Sequence, residues 1–186
     1  MDAGLNKKNN TKVFLAESLR SLIQRMPFQS ITIKKICDEA GVVRVTFYNY
    51  FIDKYDALDY LIQTDLTQDL IIDGKDPVKS VLQHIASVLF KYRRFYQIAS
   101  EIDGQNGFQE IFVLRLKEVL LMVLENHRNN RLETQGIDND LLAETYAVMI
   151  FYLVVRWLKG SSFVSENDFL KAAVLMSHSC IYDFVQ

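Results

Sequence analysis

The chain has 186 residues, 49% of them apolar and 12% aromatic, with only two prolines and seven glycines. A fold of this length buries roughly 70% of its unfolded surface, so the composition excludes a disordered chain and favours long uninterrupted helices. The net charge of −2 is uneven: residues 1–56 hold nine Lys and Arg against six Asp and Glu, a net of +3, and residues 57–186 hold twelve against seventeen, a net of −5. A polyanion is therefore expected to meet the N-terminal third. Cys37 and Cys180 are far apart in apolar patterns and outside any C-x-x-C pair, which speaks against a disulfide framework. Residues 1–12 lack the apolar segment of a signal peptide, and the uncharged run from Thr145 to Val155 is too short to span a bilayer. The expected setting is the cytoplasm, with no membrane partner.

In chain order, residues 1–10 have no periodicity and read as an irregular arm. From Thr11 to about Met26, the spacing of Leu15, Leu19, Leu22, Ile23 and Met26 predicts a helix, which Pro27 ends. Ile33, Ile36, Cys37 and Ala40 then form the single apolar stripe of a two-turn helix. Thr32 stands in the capping position before it, and Gly41 supplies the left-handed turn after it.

Past Val42, successive residues placed about 100° apart divide between two sides. Val43, Phe47 and Tyr50 fall inward, and Arg44, Val45, Tyr48 and Asn49 fall outward. Two short helices about a glycine turn make a helix-turn-helix. A forked donor, an amide, a phenol and a small apolar group suit the edges of a DNA major groove, where Arg pairs with guanine, Asn with adenine and apolar groups touch the thymine methyl. The same face also fits an ordinary surface helix, and periodicity does not separate the two.

The run A-G-V-x-R-x-T-F-Y-N-Y-F-x-D-K-Y from Ala40 to Tyr55 resembles the N-terminal signature of tetracycline-repressor-type (TetR family) bacterial regulators. Val43 stands where that family often has a capping residue, which implies a looser start to the recognition helix. The resemblance assigns Arg44, Val45 and Asn49 to base edges, and Thr32, Lys34, Thr46, Tyr48, Tyr50 and Lys54 to phosphates and positioning. Lys54 has a reason of its own, since Asp53 caps the following helix and a lysine beside exposed backbone N–H groups makes a phosphate clamp. A merely solvated lysine fits there as well.

That next helix is expected to run through Leu58, Leu61, Ile62, Leu66 and Leu70 and to stop before Asp73-Gly74. Further helices are predicted near 77–93, 95–102, 107–128, 140–159 and 166–185, with Pro77 in a first turn and Ser165 with Asp168 as a capping box. The span Leu141 to Leu158 is apolar nearly all round, so it must bury two sides. A symmetric four-helix seam between two copies through residues 140–185 satisfies this, as does a helix wholly inside one subunit. The stretch Val155-Arg156-Trp157-Leu158-Lys159-Gly160, followed by Ser165-Glu166 and a last apolar helix, is similar to the C-terminal class found in dihydroxyacetone-operon regulators of the same family.

The expected architecture is therefore all-α. A three-helix DNA-binding domain with a helix-turn-helix (1–54) is joined by a long helix to a ligand-binding and dimerising bundle (55–186). The expected function is a ligand-responsive repressor that binds a palindromic DNA operator as a homodimer. A helix-turn-helix adaptor or coactivator working through a protein partner is the alternative. The resemblance implies a small-molecule effector in the bundle, with Tyr92, Phe95, Tyr96, Phe112, Tyr146, Phe151 and Tyr152 as wall or plain core. No cofactor or metal is expected: His178 and Cys180 point to different sides of a helix, and His84 and His127 lie elsewhere. Phosphate-loop, nucleophile-elbow and H-E-x-x-H motifs are missing, so an enzyme is not expected.

Overall fold

The computed structural model describes residues 2–126, 138–160 and 165–178, and these form nine α-helices without a strand. In order they are α1 (Asp2–Ile23), α2 (Ile33–Ala40), α3 (Arg44–Tyr48), α4 (Lys54–Thr67), α5 (Pro77–Lys91), α6 (Arg93–Ala99), α7 (Phe108–Asn126), α8 (Asn139–Lys159) and α9 (Glu166–His178). A 3₁₀ turn at Phe28–Ser30 links α1 to α2. The helix starts are capped as their chemistry requires. Asp53 accepts from the amides of Tyr55 and Asp56 at 2.8 and 2.9 Å, and Asp56 returns the favour by accepting from Ile52 N–H at 2.8 Å. Asp76 caps α5 ahead of Pro77, and Ser165 and Asp168 bond reciprocally at the start of α9.

Three boundaries differ from the sequence reading. The expected arm is helical from Asp2, because α1 runs on with nothing to break it; at its other end it closes at Ile23, and Met26 sits past the last turn. α4 ends at Thr67 rather than near Leu70, where Gln68 turns extended and Asp69 takes a positive φ of 61°. α6 covers Arg93–Ala99 instead of 95–102. The last part of the helix expected near 166–185, with Cys180 in it, and His127 lie outside the described residues.

The helices form two packed regions that share α4. α1, α2 and α3 fold around Leu15, Leu19, Ile36, Phe47 and Phe51, and α4 packs against both α1 and α7. Beyond it, α5, α6, α7, α8 and α9 close on an aromatic centre in which Tyr96, Phe108, Phe112 and Phe151 stand 5.3 to 6.4 Å apart. Trp157 of α8 lies between Phe90 of α5 and Phe169 of α9, at 4.7 and 5.4 Å.

A buried polar cluster joins the two regions. The guanidinium of Arg20 on α1 donates two parallel bonds to the Asp65 carboxylate on α4, at 3.0 and 2.8 Å, and Tyr96 on α6 donates its hydroxyl to the same carboxylate at 2.6 Å. His84 on α5 reaches the Asp65 carbonyl at 2.9 Å, so its Nε2 carries the proton. The Arg20 plane is held between Tyr92 and Phe95, 4.0 and 4.6 Å from their ring centres. Burial works against the Arg20 charge, yet the hydrogen bond and charge of Asp65 more than offset it and hold its pKa above the usual range. Burial, together with the Asp65 charge, pushes the Tyr96 phenol well above its ordinary pKa and keeps it a neutral donor.

Removing one member strands the rest in a site that is largely buried. Asp65→Ala should lower the unfolding free energy by roughly 3–5 kcal/mol. Tyr96→Phe, which removes one bond to a charged acceptor, should cost about 1.5–3 kcal/mol. Urea titration followed by helical circular dichroism reads both; a loss below 1 kcal/mol for Asp65→Ala would show the cluster to be incidental.

Candidate nucleic-acid interface

The exposed end of the N-terminal region is built by α2, α3 and the start of α4. Thr32 is extended and accepts the Lys35 N–H through its hydroxyl at 3.3 Å, which starts α2 where the sequence predicts. Lys34 is exposed, and the neighbouring Lys35 is tied by its ammonium to the Ser30 carbonyl at 2.9 Å. Gly41 closes α2 at φ 67°, ψ 31°, and a Cβ placed there would meet nothing within 4 Å. The glycine is therefore required by the backbone angle alone. Cys37 is buried beneath this turn, and burial raises its thiol pKa, so it behaves as a packing group.

α3 is five residues long and begins without a side-chain cap, in line with the valine at position 43. Its single inward anchor is Phe47, fully buried against Phe51 at 5.5 Å, with Phe51 in turn 5.6 Å from Tyr60 of α4. With Phe47 fixed, the helix wheel sends Arg44, Val45, Tyr48 and Asn49 outward; Val45 is 71% and Tyr48 56% exposed. Thr46 and Tyr50 are half-buried, with Tyr50 against the core.

One expected inward residue does not turn in. Val43 is 70% exposed, because it precedes the first helical residue with extended angles (φ −83°, ψ 154°) and a helix wheel does not apply there. Val42 packs against the core instead. The outer surface thus gains an apolar group that the sequence reading missed, and the missing cap at position 43 was the signal for it. Val43 and Val45 together place two branched side chains beside Arg44.

Lys54 is held differently from a solvated clamp. Its ammonium donates to the carbonyls of Phe28 at 2.7 Å and Ile31 at 3.1 Å, and lies 4.4 Å from the Phe28 ring centre. Desolvation lowers its pKa. Two of its three N–H bonds are spent on the turn that leads into α2, leaving one for any external oxygen. Arg20 and Asp65 also escaped the sequence reading, although each interrupts an apolar stripe, Arg20 between Leu19 and Ile23 and Asp65 between Ile62 and Leu66.

The bundle aromatics separate into core and surface. Phe95, Tyr96, Phe112 and Phe151 are buried, Tyr152 is exposed, and Tyr146 borders a cavity between α5, α7, α8 and α9. Among the described residues, no group of three or more His, Cys, Asp or Glu side chains is placed to hold a metal.

This arrangement has known counterparts. No protein-family model matches the chain. The HTH-type dhaKLM operon transcriptional activator DhaS of Lactococcus lactis is 27% identical over 124 residues, which cover 64% of this chain and 65% of that relative, a little under two thirds of its length. The solved dihydroxyacetone kinase operon activator DhaS superposes with a TM-score of 0.62 at 18% identity, over 88% of this chain and 92% of that one. The fatty acid degradation regulator FadR of Bacillus halodurans gives 0.63 at 18%, over 92% and 96%. A protein of Syntrophomonas wolfei assigned to the TetR family of transcriptional regulators gives 0.67 at 14%, over 89% and 92%. The fold is that of TetR-type regulators, and these relatives and neighbours are transcriptional regulators rather than enzymes.

The αL turn at Gly41 yields a separate check on the geometry. Gly41→Ala should destabilise the fold by about 1–2 kcal/mol, the cost of a left-handed L-residue, with a smaller loss for Gly41→Asn. Thermal unfolding of the pair measures this, and equal midpoints for Gly41→Ala and wild type would contradict the assigned turn.

Proposed function

We propose that the chain is a TetR-type, sequence-specific DNA-binding transcriptional regulator acting as a homodimer on a roughly palindromic operator. The observation that carries this reading is the outward strip Arg44, Val45, Tyr48 and Asn49, mounted on a one-turn helix whose only deep anchor is Phe47. A helix so short presents nearly all its remaining side chains to a groove. Arg44, Val45 and Asn49 read base edges, with Val43 adding apolar contact. Thr32, Lys34, Thr46, Tyr48 and Tyr50 set the register on the phosphates. Lys54 contributes mainly by fixing the Phe28–Ile31 turn and offers its remaining N–H to a phosphate.

The dimer reading has a geometric basis in α8. Ala143, Ala147, Ile150, Val154 and Trp157 are buried, whereas Leu141 and Tyr152 are 62% and 61% exposed. With Thr145, Val148 and Val155 they form a strip at alternating steps of four and three residues, the spacing that a helix offers to a helical partner. Two copies joined there would set their α3 helices on successive major grooves, about 34–36 Å apart. α8 is also long and apolar enough for a membrane span by length and composition alone, and packing within the bundle plus a seam to a second copy accounts for that apolarity. A small-molecule effector in the bundle would act by changing the separation of the two reading heads. Whether bound dimers repress or activate follows from where the operator lies relative to the promoter. The sequence reading is a ligand-responsive repressor, while the relative from Lactococcus lactis is named an activator.

Selection of bound duplexes from random DNA with the full chain supplies the operator and tests the reading. On that duplex, Arg44→Ala should weaken binding by about 1–3 kcal/mol and relax preference at one base pair. Lys34→Ala should weaken all duplexes alike and lower the salt slope by about 1. Equal losses on operator and random DNA for Arg44→Ala would overturn the division of labour. Salt-insensitive capture of a protein partner without any duplex binding would favour the adaptor instead.

Tyr152→Glu, which buries charge only if the seam exists, should convert the dimer to monomer in sedimentation equilibrium. Palindrome affinity should then fall about 10²–10⁴-fold as the second half-site is lost. An unchanged dimer would place the seam elsewhere.

A further inference from the structure

A partly open cavity of about 180 Å³, bordered by Tyr146, lies between α5, α7, α8 and α9. Val78 and Leu82 contribute from α5, Val123 from α7, Tyr146 and Met149 from α8 and Ala173 from α9. Among the described residues its lining contains no Asp, Glu, Lys, Arg, His, Asn or Gln, and its single side-chain polar atom is the Tyr146 hydroxyl. Protein interiors are packed nearly as densely as organic crystals. An apolar space of roughly 150 Å³ in a protein core stays dry and takes up a benzene-sized molecule. A polyol, a phosphate or a carboxylate would lose its water here and find at most the Tyr146 hydroxyl in return.

Position sets the cavity's consequence. Its lining includes no residue of α4 or α6. On α8, positions 142, 146, 149 and 153 face the cavity, while 141, 145, 148 and 152, each one residue earlier and about 100° round the helix, form the outward strip. Filling the cavity would bear on the same helix that carries the strip.

We propose that this cavity binds an uncharged, apolar molecule of about one ring, and that its occupancy is read at the α8 seam rather than through α4. The binding claim stands on the cavity alone; the regulatory consequence rests on the dimeric regulator reading. Met149 adapts its thioether to the ligand's outline, and Tyr146 can donate one hydrogen bond at the rim.

Carbon-13 methyl spectra of methionine-labelled full-length protein, titrated with toluene, provide the test. The Met149 signal, assigned by Met149→Leu, should shift saturably while Met26 and Met122 stay in place. Benzoate, the charged counterpart, and dihydroxyacetone should leave Met149 unmoved. Ala173→Leu, which grows into the space, should weaken the toluene response at least tenfold. Should that variant fail to fold, the contrast between toluene and benzoate on the wild type decides. No saturable shift at Met149, or an equal response to benzoate, overturns the binding claim. Sedimentation equilibrium with and without toluene should show the dimer constant changing several-fold, and an unchanged constant overturns the seam route. Operator binding measured in parallel separates the two levels. A Met149 response without DNA binding upholds the cavity and sinks the regulator, and DNA binding without a Met149 response does the reverse.

Discussion

A single buried carboxylate sets how the N-terminal head meets the bundle. Asp65 receives both arms of the Arg20 guanidinium from α1 and the Tyr96 hydroxyl from α6, while its own carbonyl receives His84 from α5. Three helices from two regions thus converge on one residue of α4. Because a buried charge is tolerated only with its partners in place, the cluster has one satisfied arrangement, and the heads can shift against the bundle only by disturbing it. Apolar packing would glue these helices with similar strength, but it would tolerate sliding that a bidentate fork does not. A second, more exposed link, the ion pair of Arg115 on α7 with Asp59, braces α4 one and a half turns nearer the head.

The outward strip of α3 follows from this rigidity with little additional structure. α3 has one full turn and one buried anchor, so its direction is inherited from its neighbours: the Gly41 turn behind it, the Phe51 and Tyr60 stack ahead of it, and Lys54 clasping the Phe28–Ile31 turn beneath α2. The lysine illustrates how a charge beside a proposed phosphate contact can serve the scaffold first. Two carbonyls and a ring face offset part of its desolvation and fix the position of the cation.

α8 divides its surface among three uses. One side closes the aromatic core with Phe151, a second lines the apolar cavity, and a third lies open in a regular strip. A single helix that is apolar nearly all round is otherwise costly in water; the core and the cavity account for two of its sides, and the proposed seam would account for the third. Any molecule entering the cavity and any second copy docking on the strip therefore act on one rigid body, whose far end carries Trp157 between Phe90 and Phe169.

Local chemistry was legible from the chain itself. The caps at Thr32, Asp53 and Ser165, the stop at Gly41, the buried Phe47 and the outward Arg44, Val45, Tyr48 and Asn49 each depend on residues within a few positions of one another, where helical geometry leaves little choice. Val43 was misplaced because it lies just before the region where that geometry begins. The partners were not legible: that Arg20 meets Asp65 and Tyr96, that Lys54 turns back to Phe28 and Ile31, and that a cavity remains between α5, α7, α8 and α9. Periodicity gives the direction in which a side chain leaves its helix, but only the packing of whole helices decides what stands in front of it, across 45 residues in the case of Arg20 and Asp65.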